Sequence, residues 1–327
     1  MAGSYLKIGD SIRAQIQIDG VRKTKTFKTK LEAERWVAKQ LISEPPTKKS
    51  THTFGELCER YEEEVARNKK GYVWEKRRLR YLERHFPSLW NTLCDDFTLQ
   101  TIDAWMTVRL EKVMSSTVNR DLNLISYVFA CGRRWKMTNA EPFKDIQRPK
   151  NPEPRDRRIT VDEIDAIALV LGYSETDPVI NKKQRTCLAF LLAIETAMRL
   201  GEICKLQWAN VSLEKRVITI PGAITKTGVT RKVPLSAEAI RLIRRLKGQN
   251  EPVMLGVDPD TAGTFFRQAV KRAGIEDLHF HDSRHEATTR LAKKLHVLDL
   301  ARVTGHRDIK QLQTYYNRDA EELADLL

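Results

Sequence analysis

No run of apolar residues in this chain approaches the length of about 20 needed to cross a bilayer. The first ten residues, MAGSYLKIGD, carry no apolar core of the kind a secretory signal needs, so a cytoplasmic protein is expected. Cysteine is sparse. Cys58, Cys94, Cys131, Cys187 and Cys204 are scattered with no CxxC pairing, which argues against a disulfide framework and predicts reduced, mostly buried thiols. Acidic residues are in deficit: 43 Asp and Glu face 57 Lys and Arg, for a formal net charge of +14 over 327 residues. The basic surplus recurs along the whole chain and favours a nucleic-acid partner, although a generic solvated basic surface would give the same balance. The length exceeds one core of ordinary size, and two or three domains are expected.

At the N-terminus, SIRAQIQI (11–18) alternates Ile12, Ala14, Ile16 and Ile18 with Arg13, Gln15 and Gln17, the pattern of a half-buried strand. Asp19-Gly20 reads as a hairpin turn, VRKTKTF as the returning strand, and residues 5–8 as a third strand. Thr29 and Glu32 form a capping box before Ala33, Trp36, Val37 and Leu41 at helical spacing. A three-stranded sheet backed by one helix follows. Its open face carries Arg13, Gln15 and Gln17, residue types that read base edges or grip phosphates; a solvated face would look the same. Residues 42–52, with Pro45-Pro46, read as a stiff basic linker.

From a second capping box, Thr53 with Glu56, the pattern stays helical to about Phe143. Residues 72–86 set Leu79, Leu82 and Phe86 on one side and a basic flank, including Arg77 and Arg80, elsewhere. Residues 118–134 place Val118, Leu122, Ile125 and Phe129 on a core face. A helical bundle with a basic flank fits, and many such bundles bind nothing. RPKNPEPRDRR (148–158), which holds Arg155, reads as an interdomain linker able to follow a DNA backbone.

The last half opens on a third capping box, Thr160 with Glu163, and a buried helix near 187–195. In TAMRLGE (196–202), Arg199 precedes Gly201 and Glu202 stands three residues on, able to orient the guanidinium. ITKTGVTRKVPL (224–235) turns two short strands, 217–220 and 231–235, into a hairpin with Lys226 near its Thr227-Gly228 turn. Ser236 caps the next helix. His281 and Arg284 in HDSRH share a face if that run is helical, and Tyr315 stands nine residues beyond His306, with Tyr316 beside it. A polar group, a fixed cation and a phenol suit attack by tyrosine on a phosphodiester. His281, His285 and His306 also invite a zinc reading, but HExxH is absent and Arg284 would set a fixed charge beside the metal, so none is expected.

TAMRLGE, TKTGVTRKVPL, HDSRH and TGHRDIKQLQTYY resemble, in order and at ordinary spacing, the four catalytic segments of the tyrosine recombinases. The likeness covers residues 53–327, and the N-terminal sheet resembles the arm-binding domains of temperate-phage integrases. The resemblance implies a multidomain, mainly α protein with small β-sheets. Its parts are an arm-type DNA-binding domain at 1–44, a helical core-binding domain at 53–147, and a mixed α/β catalytic domain at 155–327. It implies Tyr315 as the nucleophile that forms a 3′-phosphotyrosine, Arg199 and Arg284 as the phosphate clamp, and Lys226 as general acid. His281 and His306 would assist by hydrogen bonding or proton transfer, with Glu202 in support.

No metal or nucleotide cofactor is implied. The partners implied are double-stranded DNA attachment sites, three further copies in a homotetramer, a DNA-bending host factor and an excisionase, all within a bacterial host's cytoplasm and nucleoid. Ala197 stands where the family often has glycine, with little effect expected, and Ser283 replaces a frequent leucine, so local packing should differ. Adjacent helical residues diverge by about 100°, so one tyrosine should face the phosphate, and Tyr315 has the family's offset. Alternatives are a chromosome- or plasmid-type resolvase of the same family, a catalytically decayed site-specific DNA-binding protein, and a topoisomerase-like relaxing enzyme with the same chemistry. The tail DAEELADLL is amphipathic and could pack on its own domain, while the resemblance implies that it docks on a neighbouring protomer.

Overall fold

The alternating N-terminal strand forms as the pattern requires. A computed structural model describes residues 4–18, 21–42, 50–153, 155–225, 227–246, 248 and 251–316. The Asp19-Gly20 turn, the prolines of the first linker, Lys226 and the tail beyond Tyr316 lie outside the described residues. Strands β1 (Ser4–Ile8), β2 (Ser11–Ile18) and β3 (Val21–Phe27) form an antiparallel sheet in the order β1-β2-β3. Helix α1 (Lys30–Ile42) follows the Thr29–Glu32 box, whose two reciprocal bonds measure 3.2 and 3.3 Å. Ala14 and Ile16 pack on Ala33 and Val37, with Phe27 against Trp36, to make a small core. Period-2 burial leaves Arg13 and Gln17 exposed on the other face.

The chain divides into two compact units, Met1–Glu153 and Pro154–Leu327. The first also holds α2 (Phe54–Glu64), α3 (Tyr72–His85), α4 (Pro87–Trp90), α5 (Leu99–Leu110) and α6 (Ser115–Arg134). These enclose a second core, with Phe54, Phe97 and Phe129 in mutual ring contact. The Thr53–Glu56 box caps α2 as its sequence predicts. Within this core Asp121, fully buried, meets Arg109 at 3.1 Å and Arg78 at 2.9 Å, which compensates a charge that would otherwise be costly there.

The second unit orders α7 (Val161–Val170), α8 (Lys182–Thr196), α9 (Leu200–Lys205), β4 (Val211–Ser212), β5 (Val217–Ile220), β6 (Arg231–Pro234), α10 (Ala237–Arg244), α11 (Pro259–Arg272), α12 (Asp282–Ala292) and α13 (Val297–Thr304). A 3-10 turn over Ile309–Tyr315 ends the described chain. Helix α8 is buried nearly all round and forms the axis of this core, while β4-β5-β6 make a small antiparallel sheet. All five cysteines are free and buried. No helix among the described residues is long and apolar enough to cross a membrane.

Candidate functional site

Helix α8 ends at Ala197, whose φ of +55° puts a residue with a Cβ in the left-handed region, at a cost of about 1 kcal/mol or more. This explains the family's glycine there and corrects the expectation that the exchange matters little. The turn buries Met198 and sets Arg199 at the start of α9. The Arg199 amide donates to Glu202 Oε2 at 2.9 Å and its Nη1 to Oε1 at 3.1 Å. Glu202, 2% exposed, also accepts both terminal nitrogens of Arg231, at 2.9 and 2.6 Å. Arg231 Nε in turn donates to Val303 O at 3.0 Å. One carboxylate thus joins α9, β6 and α13. Burial pushes its pKa up, but the bonds and charges of Arg231 and Arg199 outweigh burial and hold it below the usual range.

Arg284 lies in the first turn of α12, 4% exposed. Its Nη1 donates to Ala197 O at 2.5 Å and its Nη2 to Thr304 O at 2.7 Å, which fixes the plane of the fork. Burial, then the charges of Arg199 and Arg231, lower its pKa to about 9, so it remains a cation at neutral pH. His281 stands at the N-terminal boundary of the same helix and makes no side-chain bond to its first turn. Loss of surrounding water, then Arg284 and Arg199, lowers its pKa. Ser283, where a leucine was the norm, is buried and satisfies itself by donating to Phe280 O at 2.6 Å.

Gly305, at φ +75°, ends α13 and turns the chain so that His306 faces the arginines. Its Nδ1 lies 2.6 Å from Thr304 Oγ1 and its Nε2 lies 3.5 Å from Arg284 Nη2. Burial, then Arg284, Arg199 and Arg231, lower its pKa to about 4, which leaves the ring neutral at physiological pH.

Tyr315 ends the 3-10 turn half-buried, its ring 5.1 Å from that of His285. Its hydroxyl makes no hydrogen bond among the described residues. Burial pushes its pKa up, Arg284 pulls it down, and Asp156 pushes it up again. Tyr316, just past the end of that turn rather than on a helix, points elsewhere: its hydroxyl donates to Leu295 O at 2.8 Å. Arg199, Glu202, His281, Arg284, His306 and Tyr315 therefore belong to one neighbourhood, linked by hydrogen bonds or by charges felt at one another. Lys226 is not among the described residues. Its hairpin is tight, since a Cβ at Gly222 would sit 2.3 Å from Gly228 O, and Arg307 anchors it by donating to Thr227 O at 2.6 Å. A cavity of about 530 Å³ opens between this hairpin and α13, lined in part by Val229, Arg231, Val303 and His306.

The remaining candidates lie elsewhere. Arg155, expected along DNA, bonds Asp277 at 2.9 and 3.0 Å and Asp282 at 3.2 and 2.9 Å, so its charge is compensated within the second unit. Arg158 bonds buried Glu286 at 2.6 and 3.0 Å, and Asp156 stands 3.5 Å from His285 Nε2. Three residues of α12, Asp282, His285 and Glu286, thus hold residues 155–158 as a strap. On α3, Arg77 is exposed and Arg80 pairs with Glu83 and Glu62, beside a cavity of about 580 Å³ shared with Tyr72 and Tyr81. Arg13 and Gln17 are exposed on the N-terminal sheet, and Gln15 accepts from Arg22. Sequence reasoning missed Arg231, Thr304 and the Asp156–His285 contact. No cluster of three His, Cys, Asp or Glu side chains suited to a metal occurs among the described residues.

A buried guanidinium fixed by two carbonyls, a second one held by a carboxylate, two imidazoles and a free phenol can bind and attack a phosphodiester. The sequence profile of the phage integrase family matches residues 157–322, which spans this whole constellation. The chain belongs to the phage integrase family. An integrase/recombinase of Haemophilus influenzae is 38% identical over 84% of this chain and 90% of its own length. A shufflon-specific DNA recombinase of Escherichia coli is 33% identical over 84% of this chain and 71% of its own. The fold matches that of lambda integrase, solved as a tetramer bound to a Holliday junction, with a TM-score of 0.66. That likeness covers 95% of this chain and 96% of the other at 17% identity. This integrase is a site-specific tyrosine recombinase, an enzyme that transfers DNA strands.

Proposed function

We propose that this integrase inserts and excises a mobile DNA element, such as a phage or prophage genome, at attachment sites. Tyr315 is the nucleophile: its hydroxyl passes its proton to the neutral His281 imidazole, its oxygen bonds to the scissile phosphorus, the bond to the 5′-oxygen breaks, and a 3′-phosphotyrosine with a free 5′-hydroxyl results. The phosphotyrosine keeps the bond energy, so rejoining needs no nucleotide. Arg284 and Arg199 bind the non-bridging oxygens, where planar forks suit the charge that builds up in the transition state. Lys226 gives the leaving oxygen its proton, and His281 and His306 assist. Glu202 and Arg231 position Arg199.

The observation that carries this reading is the contrast at the paired tyrosines. Tyr316 is tied to Leu295 O, whereas the Tyr315 hydroxyl is unengaged among the described residues and feels the charge of Arg284. Charge and exposure support three working parts: residues 1–44 on arm-type sites through Arg13, Gln15 and Gln17, 53–147 on core DNA through Arg77 and its neighbours, and 155–327 for chemistry. Four copies would act together on paired sites, helped by a DNA-bending protein and an excisionase in the host cytoplasm.

The test is recombination in cells between two plasmids that carry the candidate attachment sites flanking the gene. Joined plasmids with wild-type protein, and none with Lys226→Ala or Tyr315→Phe, are expected. Inversion within one plasmid with no joining between two would contradict an integrating role.

A further inference from the structure

Thr304 is fully buried at the end of α13, and its hydroxyl touches two groups. Leu300 O lies 2.7 Å away and His306 Nδ1 lies 2.6 Å away. A carbonyl can only accept, so the single hydroxyl proton points at Leu300 O. The short contact with His306 then requires that Nδ1 carry a proton and donate to Thr304 Oγ1. In the neutral ring only one nitrogen carries a proton, so Nε2 is bare. That agrees with its other neighbour: Arg284 Nη2, a donor, faces it at 3.5 Å.

We propose that Thr304 fixes the tautomer of His306, so that the neutral ring presents a bare Nε2 and engages the scissile phosphate only after taking up one proton there. The inference rests on the recombinase chemistry proposed above and adds a positioning residue to it. A non-bridging phosphate oxygen accepts and does not donate, so a bare Nε2 repels it. Moving the ring proton from Nδ1 to Nε2 would set two lone pairs together at the Thr304 contact, or force its hydroxyl off Leu300 O. Adding a proton from solvent to Nε2 keeps both Thr304 bonds and creates a donor for the phosphate. The groups facing His306 are Arg284 from α12, Arg199 at the start of α9, Arg231 from β6, and His281. Burial, and then these charges, hold the free ring neutral, and an incoming phosphodiester anion opposes the charges.

The experiment is single-turnover cleavage of a nicked attachment site across the neutral pH range, by full-length wild-type, Thr304→Val and Thr304→Ser proteins. In the wild type the rate should fall about tenfold per pH unit on the alkaline side, the mark of one required proton. Thr304→Val frees the ring to carry its proton on Nε2 while neutral, so this alkaline fall should vanish or move up by about a unit, and Thr304→Ser should restore it. A Thr304→Val profile that is only scaled down, with the same shape, would overturn the proposal. Calorimetry in buffers of different ionisation enthalpy gives a second reading, using Tyr315→Phe protein, which binds without cutting. Binding should take up a proton that the Thr304→Val, Tyr315→Phe protein does not, and equal uptake by both would again overturn it. No cleavage by wild-type protein at any pH, with binding intact, would instead remove the chemistry on which the proposal stands.

Discussion

Glu202 grips Arg231 through both carboxylate oxygens, at 2.9 and 2.6 Å, and the pair is almost wholly buried. The same carboxylate receives the amide and guanidinium of Arg199, so Arg199, the proposed clamp, is held by a bond network that reaches from α9 to α13. Removing one member of a buried pair leaves the other charge uncompensated. Arg231→Met should therefore lower stability by about 3 kcal/mol in urea denaturation and reduce cleavage as well. A loss below about 1 kcal/mol, the range of an exposed pair, would show that the network does not hold the site.

Ala197 bears backbone strain in order to aim its carbonyl at Arg284. Ala197→Gly should relieve it and raise stability by up to about 1 kcal/mol, less the extra chain entropy that glycine loses on folding. Thermal unfolding measures this directly, and a lower midpoint would mean that the left-handed turn is not under strain.

The strap over α12 sets an acid limit. Burial pushes the Glu286 carboxyl up, but bonds from Arg158 and Arg290 outweigh burial and draw its pKa from an ordinary 4.5 to about 2. A group depressed on folding contributes stability that is complete above its unfolded pKa and lost as pH falls through the folded one. The second unit should weaken as pH drops from about 4.5 towards 2. Glu286→Gln should be less stable at neutral pH and show a flatter profile across that window in denaturation at stepped pH.

Tyr316→Phe loses the bond to Leu295 O. It should cost about 1 kcal/mol in stability, the worth of one ordinary hydrogen bond, and leave chemistry intact. A stability unchanged from wild type would place that hydroxyl in solvent.

Much of this was legible in the residues because the signals are local. The boxes Thr29–Glu32, Thr53–Glu56 and Thr160–Glu163 all cap their helices, and alternation in 11–18 gives the strand it predicts. Glu202 three residues after Arg199 does orient the guanidinium. What escaped was non-local. Arg231 pairs with a residue 29 positions away, and no spacing rule reports that. A signal was present, since Arg231 shares the strand phase of Val233 and Leu235, and a charge in a buried phase needs a buried partner. Thr304 ends an amphipathic helix as an ordinary small polar residue, and only its two contacts reveal a role. Arg155 and Arg158 look like free linker cations until folding brings Asp282 and Glu286 beneath them.

The central claim is that Tyr315 attacks DNA. Wild-type, Tyr315→Phe and Tyr316→Phe proteins would be mixed with a nicked attachment site in EDTA, and protein joined covalently to DNA would be counted on a denaturing gel. The account predicts an adduct from wild type and Tyr316→Phe, and none from Tyr315→Phe. An adduct that persists in Tyr315→Phe and disappears in Tyr316→Phe would contradict it.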